Sequence, residues 1–204
     1  MKKILKRSLK FSVSIAVITF VLAAIFSIVS NMILDGTGWL LGLFVVLIIV
    51  STGVLFDMMG IAATAASVTP FNAMASEKVY GAKHAIRIVR NADRFATFCN
   101  DVIGDISGII SGTASTLVVI QLVIVINGGE SSGLQYVIGT ILTSIVAALT
   151  VGGKALGKTV AITASTDLIL FAGKVVAVLE DKLHIKVLPD PKKSKKANGK
   201  VSKT

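Results

Sequence analysis

The sequence predicts an all-α integral membrane protein, with about four transmembrane helices and short amphipathic cytoplasmic helices. Three observations predict it. Of 204 residues, 53% are hydrophobic and 16% charged, where a soluble domain carries about a quarter charged. The mean hydropathy is +0.83. The few charges are one-sided: 21 Lys and Arg against 11 Asp and Glu give a formal net charge of +10. Such a chain lacks the polar surface of a soluble enzyme. With 6% aromatic residues, it also lacks the stacking surface of a nucleic-acid binder, so no nucleic acid is expected as a partner. What remains is a small multi-pass protein whose partner is the lipid bilayer, with basic charge on one side of it.

The elements follow in chain order. Residues 1–10 form a basic N-terminus with Lys2, Lys3, Lys6, Arg7 and Lys10. The first apolar run, 11–34, can cross about 30 Å of hydrocarbon. No clear small-residue cleavage site follows it, so a retained helix is expected, with a cleaved signal as the alternative. Further spans are expected at 39–62, at 95–126 (punctuated by Asp, Gly and Ser) and at 134–152. Amphipathic helices are expected at 70–90 and 160–181. Pro70 suits a first helical turn, and Gly81 ends or breaks the helix it starts. Beyond Gly81, Ala85, Ile86 and Val89 share one face while Lys83, Arg87 and Arg90 share the other, as in a helix lying at a membrane surface. Asn91–Asp93 reads as a cap-like turn. The transmembrane domain as a whole covers 11–181, and residues 182–204 form a basic tail expected to be disordered.

The basic residues set the orientation. The loops 31–38 and 127–133 hold Asp35 and Glu130 and no Lys or Arg. The N-terminus supplies five basic residues and the middle connection five more: Lys78, Lys83, Arg87, Arg90 and Arg94. The other 11 lie from Lys154 onward. Four crossings therefore put all 21 on one side, with both termini cytoplasmic in a cell membrane. A fifth crossing would carry the lysine-rich tail outside, so 160–181 is expected to pack or lie at the interface. The tail lysines act as topogenic charge and can also contact anionic lipid head groups, at about 1 kcal/mol each.

An ionisable group in a span is a functional hypothesis by default. Asp57, Asp101 and Asp105 qualify. Asp101 and Asp105 lie one helical turn apart on one face, beside Asn100, with Ser107, Ser111 and Ser115 on a slightly rotated face. Oxygen donors of this kind suit a hard cation such as Mg²⁺, which makes Asp101, Asp105, Asn100, Ser107 and Asp57 the candidate cation-binding residues. Asp101 and Asp105 are the candidate metal ligands among them. Gly104, Gly108 and Gly112 form a small-xxx-small series that allows close helix packing. The competing interpretation is a packing seam whose acids are solvated near the interface.

Catalysis has little material. Cys99 is the sole cysteine, and His84 and His184 are the only histidines. No disulfide, zinc cluster or Ser-His-Asp triad can be assembled from these. Gly152–Lys158 superficially suggests a phosphate loop but lacks Gly-Lys-Ser/Thr at the required spacing. The chain is not expected to be an enzyme.

Several of these elements occur in a characteristic order. A long span ends in small residues, and Gly81-Ala-Lys-His-Ala opens an amphipathic helix. Asn91-Ala-Asp-Arg-Phe95 then leads into the polar third span, and Gly153-Lys-Ala-Leu-Gly-Lys158 closes the fourth before another apolar helix. Over about residues 40–180 this resembles the transmembrane domain of the CNNM/CorC family of magnesium transporters. That family shows Gly-x-x-x-Ala-x-x-x-Leu, then Asn-Pro-Asp-Arg-Phe, and later Gly-Glu-x-x-Pro-Lys. The resemblance implies Mg²⁺ binding or transport by a homodimer. The departures are specific. Lys154 stands at the family's glutamate and Gly157 at its proline. The family's Phe-Ser-x-x-Glu-like run is here Asp57-Met-Met-Gly-Ile-Ala-Ala-Thr-Ala-Ala-Ser67, and its Gly-Asn pair has no clean match. The span 11–34 is additional to the family's three helices, and no nucleotide-sensing CBS pair follows the last helix. Lys154 would pair with Asp101 or Asp105 as an internal mimic of the cation. The alternative to a transporter is therefore a transport-inactive structural or regulatory subunit. A third, weaker option is a holin-like, lipid-perturbing protein.

Overall fold

The buried face of the second span repeats at steps of four and three: Gly42, Val46, Val50, Gly53, Asp57 and Gly60. That spacing keeps six residues on one side of a helix, and small residues on it let neighbouring backbones approach. This helix is the hub of the structure. The computed structural model describes residues 2–34, 36–127 and 132–183. Asp35, Glu130, His184 and nearly all of the expected basic tail lie outside the described residues. The helices in order are α1 Lys2–Leu34, α2 Trp39–Ala65, α3 Val68–Ser76, α4 Ala82–Arg90, α5 Ala92–Ala96, a π-helical segment Thr97–Gly104, α6 Asp105–Asn127, α7 Ser132–Thr163 and α8 Ser165–Leu183. No strand occurs among the described residues. Among the described residues, four stretches are long and apolar enough to cross a membrane: Ser12–Leu34, Trp39–Ala65, Ala92–Ile126 and Gly133–Thr163. The protein is an all-α, multi-pass membrane protein.

Three apolar clusters hold it together. In the bundle, Val46 and Val50 of α2 meet Ala114 and Val118 of α6 and Val146 of α7, closed at one end by Leu34. On the flank, Ile15, Leu22 and Ala23 of α1 lie against Val102, Ile106 and Ile110 of the π segment and α6. At the other end a layer of short helices covers the bundle. There Phe71 of α3, fully buried, meets Ala85 and Ile88 of α4, Ile169, Ala172 and Val176 of α8, and Ala62 and Ala161 from the ends of α2 and α7.

Helix boundaries differ from the sequence expectation at two places, each for a local reason. The basic N-terminal residues continue the first span as one helix from Lys2, because Lys, Leu and Arg favour helix and no Gly or Pro interrupts. The fourth span runs past Gly152 and Gly153 to Thr163, since Val54 of α2 packs where a Cβ on Gly153 would stand, 3.1 Å away. Residues 160–163 thus end α7, and a one-residue turn at Ala164 starts α8 at Ser165. The middle connection is two helices, α3 and α4, and the break read at Gly81 lies around Lys78 (φ 60°) and Gly81 (φ 84°), two left-handed positions that end one helix and set the angle of the next.

The α4–α8 crossing is very close. A Cβ on Gly173 would lie 2.6 Å from the Gly81 carbonyl oxygen and 2.8 Å from the Ala85 nitrogen. Polar bridges pin the same pair. Arg87 Nη1 donates to both Glu180 carboxylate oxygens, at 3.1 and 2.8 Å, and His84 Nε2 lies 3.1 Å from Glu180 Oε2. The Tyr80 hydroxyl donates to Asp181 at 3.2 Å. Desolvation, and then the hydrogen bond and charge of Asp181, push the Tyr80 phenol above its ordinary value.

Candidate functional site at the α2–α7 ion pair

The three acids of the spans meet different fates. Asp57 is on the buried face of α2, 8% exposed. Counting 1.5 Å per residue from Trp39, it lies about 27 Å along the helix, near the far edge of a 30 Å hydrocarbon slab. Lys154 reaches it from α7: Nζ is 2.7 Å from Asp57 Oδ2. The lysine therefore meets Asp57, not Asp101 or Asp105 as expected. The reason is rotational setting. Lys154 shares a face of α7 with Gly157, whose missing Cβ leaves room for Met58 Cγ at 2.7 Å, and that face is the one α2 packs against.

The third span closes the other side of the pair. A Cβ on Gly104 would stand 2.5 Å from Asp57 Oδ1, so glycine at this position lets the carboxylate sit against the π segment. Asn100 does the same at Gly60, where any Cβ would overlap its amide. The Asn100 Oδ1 is buried and has no hydrogen-bond partner. Ser107 is 9% exposed and packs on Gly53, its Cβ 2.8 Å from where a glycine Cβ would be. Thus Asp57, Asn100, Ser107, Gly104 and Lys154 converge on one seam. Asp101 and Asp105 do not. Both are exposed, and the ammonium of Lys154 is on Asp57 instead. Among the described residues, no group of three His, Cys, Asp or Glu side chains is close enough to share a metal ion.

The glycine series divides in the same way. Gly104 is packed, while Gly108 and Gly112 have nothing within 4 Å of where a Cβ would stand. Ser111 and Ser115, 2% and 1% exposed, satisfy their hydroxyls within α6, donating to the carbonyls of Gly108 and Ser111. Sequence reasoning misses the α2 glycines Gly53 and Gly60, although they stand seven residues apart and flank Asp57. That spacing is the available signal for the seam.

Chemically, the arrangement is a carboxylate already neutralised by an ammonium, with an unpartnered amide oxygen at Gly60, three residues along the same face of α2. An isolated carboxylate at this depth would cost several kcal/mol or more, and the lysine removes most of that cost. No family model, no curated protein and no solved structure matches the chain, so the role of the pair rests on its own geometry.

Proposed function

We propose that this protein is a structural or regulatory membrane subunit in which Lys154 occupies the place of a cation, with the helix arrangement of a CNNM/CorC-type domain but without transport. The observation that carries it is the 2.7 Å contact between Lys154 Nζ and Asp57 Oδ2. A tethered ammonium at the buried acid neutralises it permanently, and a divalent cation at the same carboxylate would have to displace it against like-charge repulsion. The test is Mg²⁺ uptake into proteoliposomes alongside Mg²⁺-dependent thermal stability. The wild type is expected to be silent in both, and Lys154→Ala to gain Mg²⁺-dependent stabilisation. Wild-type Mg²⁺ uptake would overturn the proposal.

A second reading, a protein that binds or moves Mg²⁺, is favoured by one observation: the unpartnered Asn100 Oδ1, which lies at Gly60 on the same seam as Asp57. Oxygen donors of this type suit Mg²⁺. In it, Lys154 is a gate that swings off Asp57, and Asn100→Leu abolishes uptake.

Orientation and assembly belong to the same proposal. Four crossings place the start of α1, the α3–α4 layer and the α7–α8 turn at one end. The basic residues of the sequence cluster at that end, which supports a cytoplasmic location for both termini. Head-group contact of the lysines with anionic lipid follows from the same charge. The open Gly108–Gly112 strip supports a homodimer through α6.

A further inference from the structure

Among the described residues, α1 packs on α6 rather than along α2. The two helices therefore diverge and leave a cleft of about 390 Å³ between them, floored by the third span. Its lining is almost wholly apolar and includes Ile33 of α1, Val45, Ile49 and Phe56 of α2, and Ile106 of α6. Every wall belongs to a membrane-spanning stretch, so the medium at its mouth is lipid.

Three hydroxyl residues line it, Ser30, Thr52 and Ser107, and one of them stands out. Ser30 lines the cleft, is 6% exposed, and its hydroxyl has no hydrogen-bond partner. Other hydroxyls of the spans turn back onto their own helix: Thr52 donates to the Ile48 carbonyl, Thr140 to Tyr136, Ser144 to Thr140 and Thr150 to Val146. Ser30 does not, and a buried hydroxyl without an acceptor is costly in apolar surroundings. It sits four residues before the end of α1 at Leu34, about 6 Å inside the helix terminus. That is the depth at which hydrocarbon gives way to head groups.

The lining and the setting select the occupant. From Val45 to Phe56 the cleft runs about 16 Å along α2, its walls are apolar and all belong to spans, and its mouth opens on lipid, which suits an extended hydrocarbon chain lying along the helices. We propose that this cleft holds one acyl chain of a membrane glycerophospholipid, with the Ser30 hydroxyl donating to the lipid's ester carbonyl. The chain fills the gap between α1 and α2, and the ester satisfies the one hydroxyl the helix leaves open. The hydroxyl end of the site, at Ser30 near the end of α1, is at the opposite end of the span from the Lys154–Asp57 pair.

Native mass spectrometry of the full chain in mild detergent, titrated with dioleoyl phosphatidylglycerol, tests this. The wild type is expected to retain one phospholipid per chain. Ile49→Trp fills the cleft and is expected to abolish retention, while Leu55→Trp, on the exposed side of α2, keeps it. Ser30→Ala is expected to weaken retention about fivefold, the value of one hydrogen bond. Continued protection of Cys99 from a thiol dye checks that each variant is folded, and Val45→Phe carries the occlusion test if Ile49→Trp is not. Equal retention by the folded cleft-filling variant overturns the proposal, as does unchanged affinity in Ser30→Ala. Retention of oleic acid in place of phospholipid, or a change of oligomeric state in the cleft variants, overturns it equally.

Discussion

Lys154→Met should expose how much of the fold rests on one ion pair. It removes the ammonium 2.7 Å from Asp57 and leaves the carboxylate, whose side chain is 12% exposed, without a counter-charge. Breaking a buried pair by deleting one partner costs about 3–5 kcal/mol. The Lys154 side chain is 32% exposed, so water screens part of the interaction and the lower end, about 3 kcal/mol, applies. Asp57→Asn leaves an ammonium that can turn toward water and should cost about 1–2 kcal/mol. The double variant removes both charges and should sit within about 1 kcal/mol of wild type, giving a coupling of about 3 kcal/mol in a double-mutant cycle. At about 2–4 °C per kcal/mol for a chain of this size, Lys154→Met lowers the melting temperature by about 6–12 °C and the double variant by about 2–4 °C. The assay is built in: Cys99 is the sole cysteine and 2% exposed, so a thiol-reactive dye reports unfolding directly. Additive single effects, with the double variant the least stable, would refute the coupling.

Other outcomes follow from the same geometry. Gly173→Val should drive α8 off α4 at the Gly81 carbonyl and cost about 2–3 kcal/mol, read as early protease cutting in the α3–α4 layer. Glu180→Gln removes the carboxylate shared by Arg87 and His84 and should cost about 1–2 kcal/mol, measured by the same dye; an unshifted melting curve sinks it. On α8, Phe171, Val175 and Leu179 are exposed on one side while Lys174 and Asp181 face another, the pattern of a helix lying on a membrane. Trp placed at 171 in a Trp39→Phe background should therefore be quenched by brominated lipid, and Trp at 174 much less. Gly108→Leu with Gly112→Leu should leave the monomer fold intact, because nothing packs there, but should dissociate a homodimer joined at that strip, as seen by light scattering in detergent.

The spans are legible in the sequence because long apolar runs leave few alternatives, and α4 because Ala85 buries while Lys83 and Arg90 remain outside, although its buried face runs through Ala82 and Ile88, with the expected Ile86 and Val89 only half-buried. Arg87 falls on the polar face by periodicity but reaches across to Glu180, a partner 93 residues away that helical spacing alone does not reveal. The acids show the same limit. Spacing places Asp101 and Asp105 together, and they do share an outward face. Which acid meets Lys154 depends on how α2, α7 and the third span are rotated against one another, and that is decided by missing side chains at Gly53, Gly60, Gly104 and Gly157. A packing glycine looks the same in sequence as an idle one such as Gly108.

The π-helical segment Thr97–Gly104 has a mechanical consequence of its own. Bonding from i to i+5 accommodates one residue more than an α-helix would over the same turn. It therefore acts as a phase shifter between α5 and α6, which are otherwise one continuous rod. Deleting one residue there would restore an α-helix and rotate everything before it by about 100°. The α3–α4 layer would then be turned like a dial relative to the bundle, and the Asn100 amide would leave Gly60. The register of the whole basic end is thus set by one extra residue beside the ion pair.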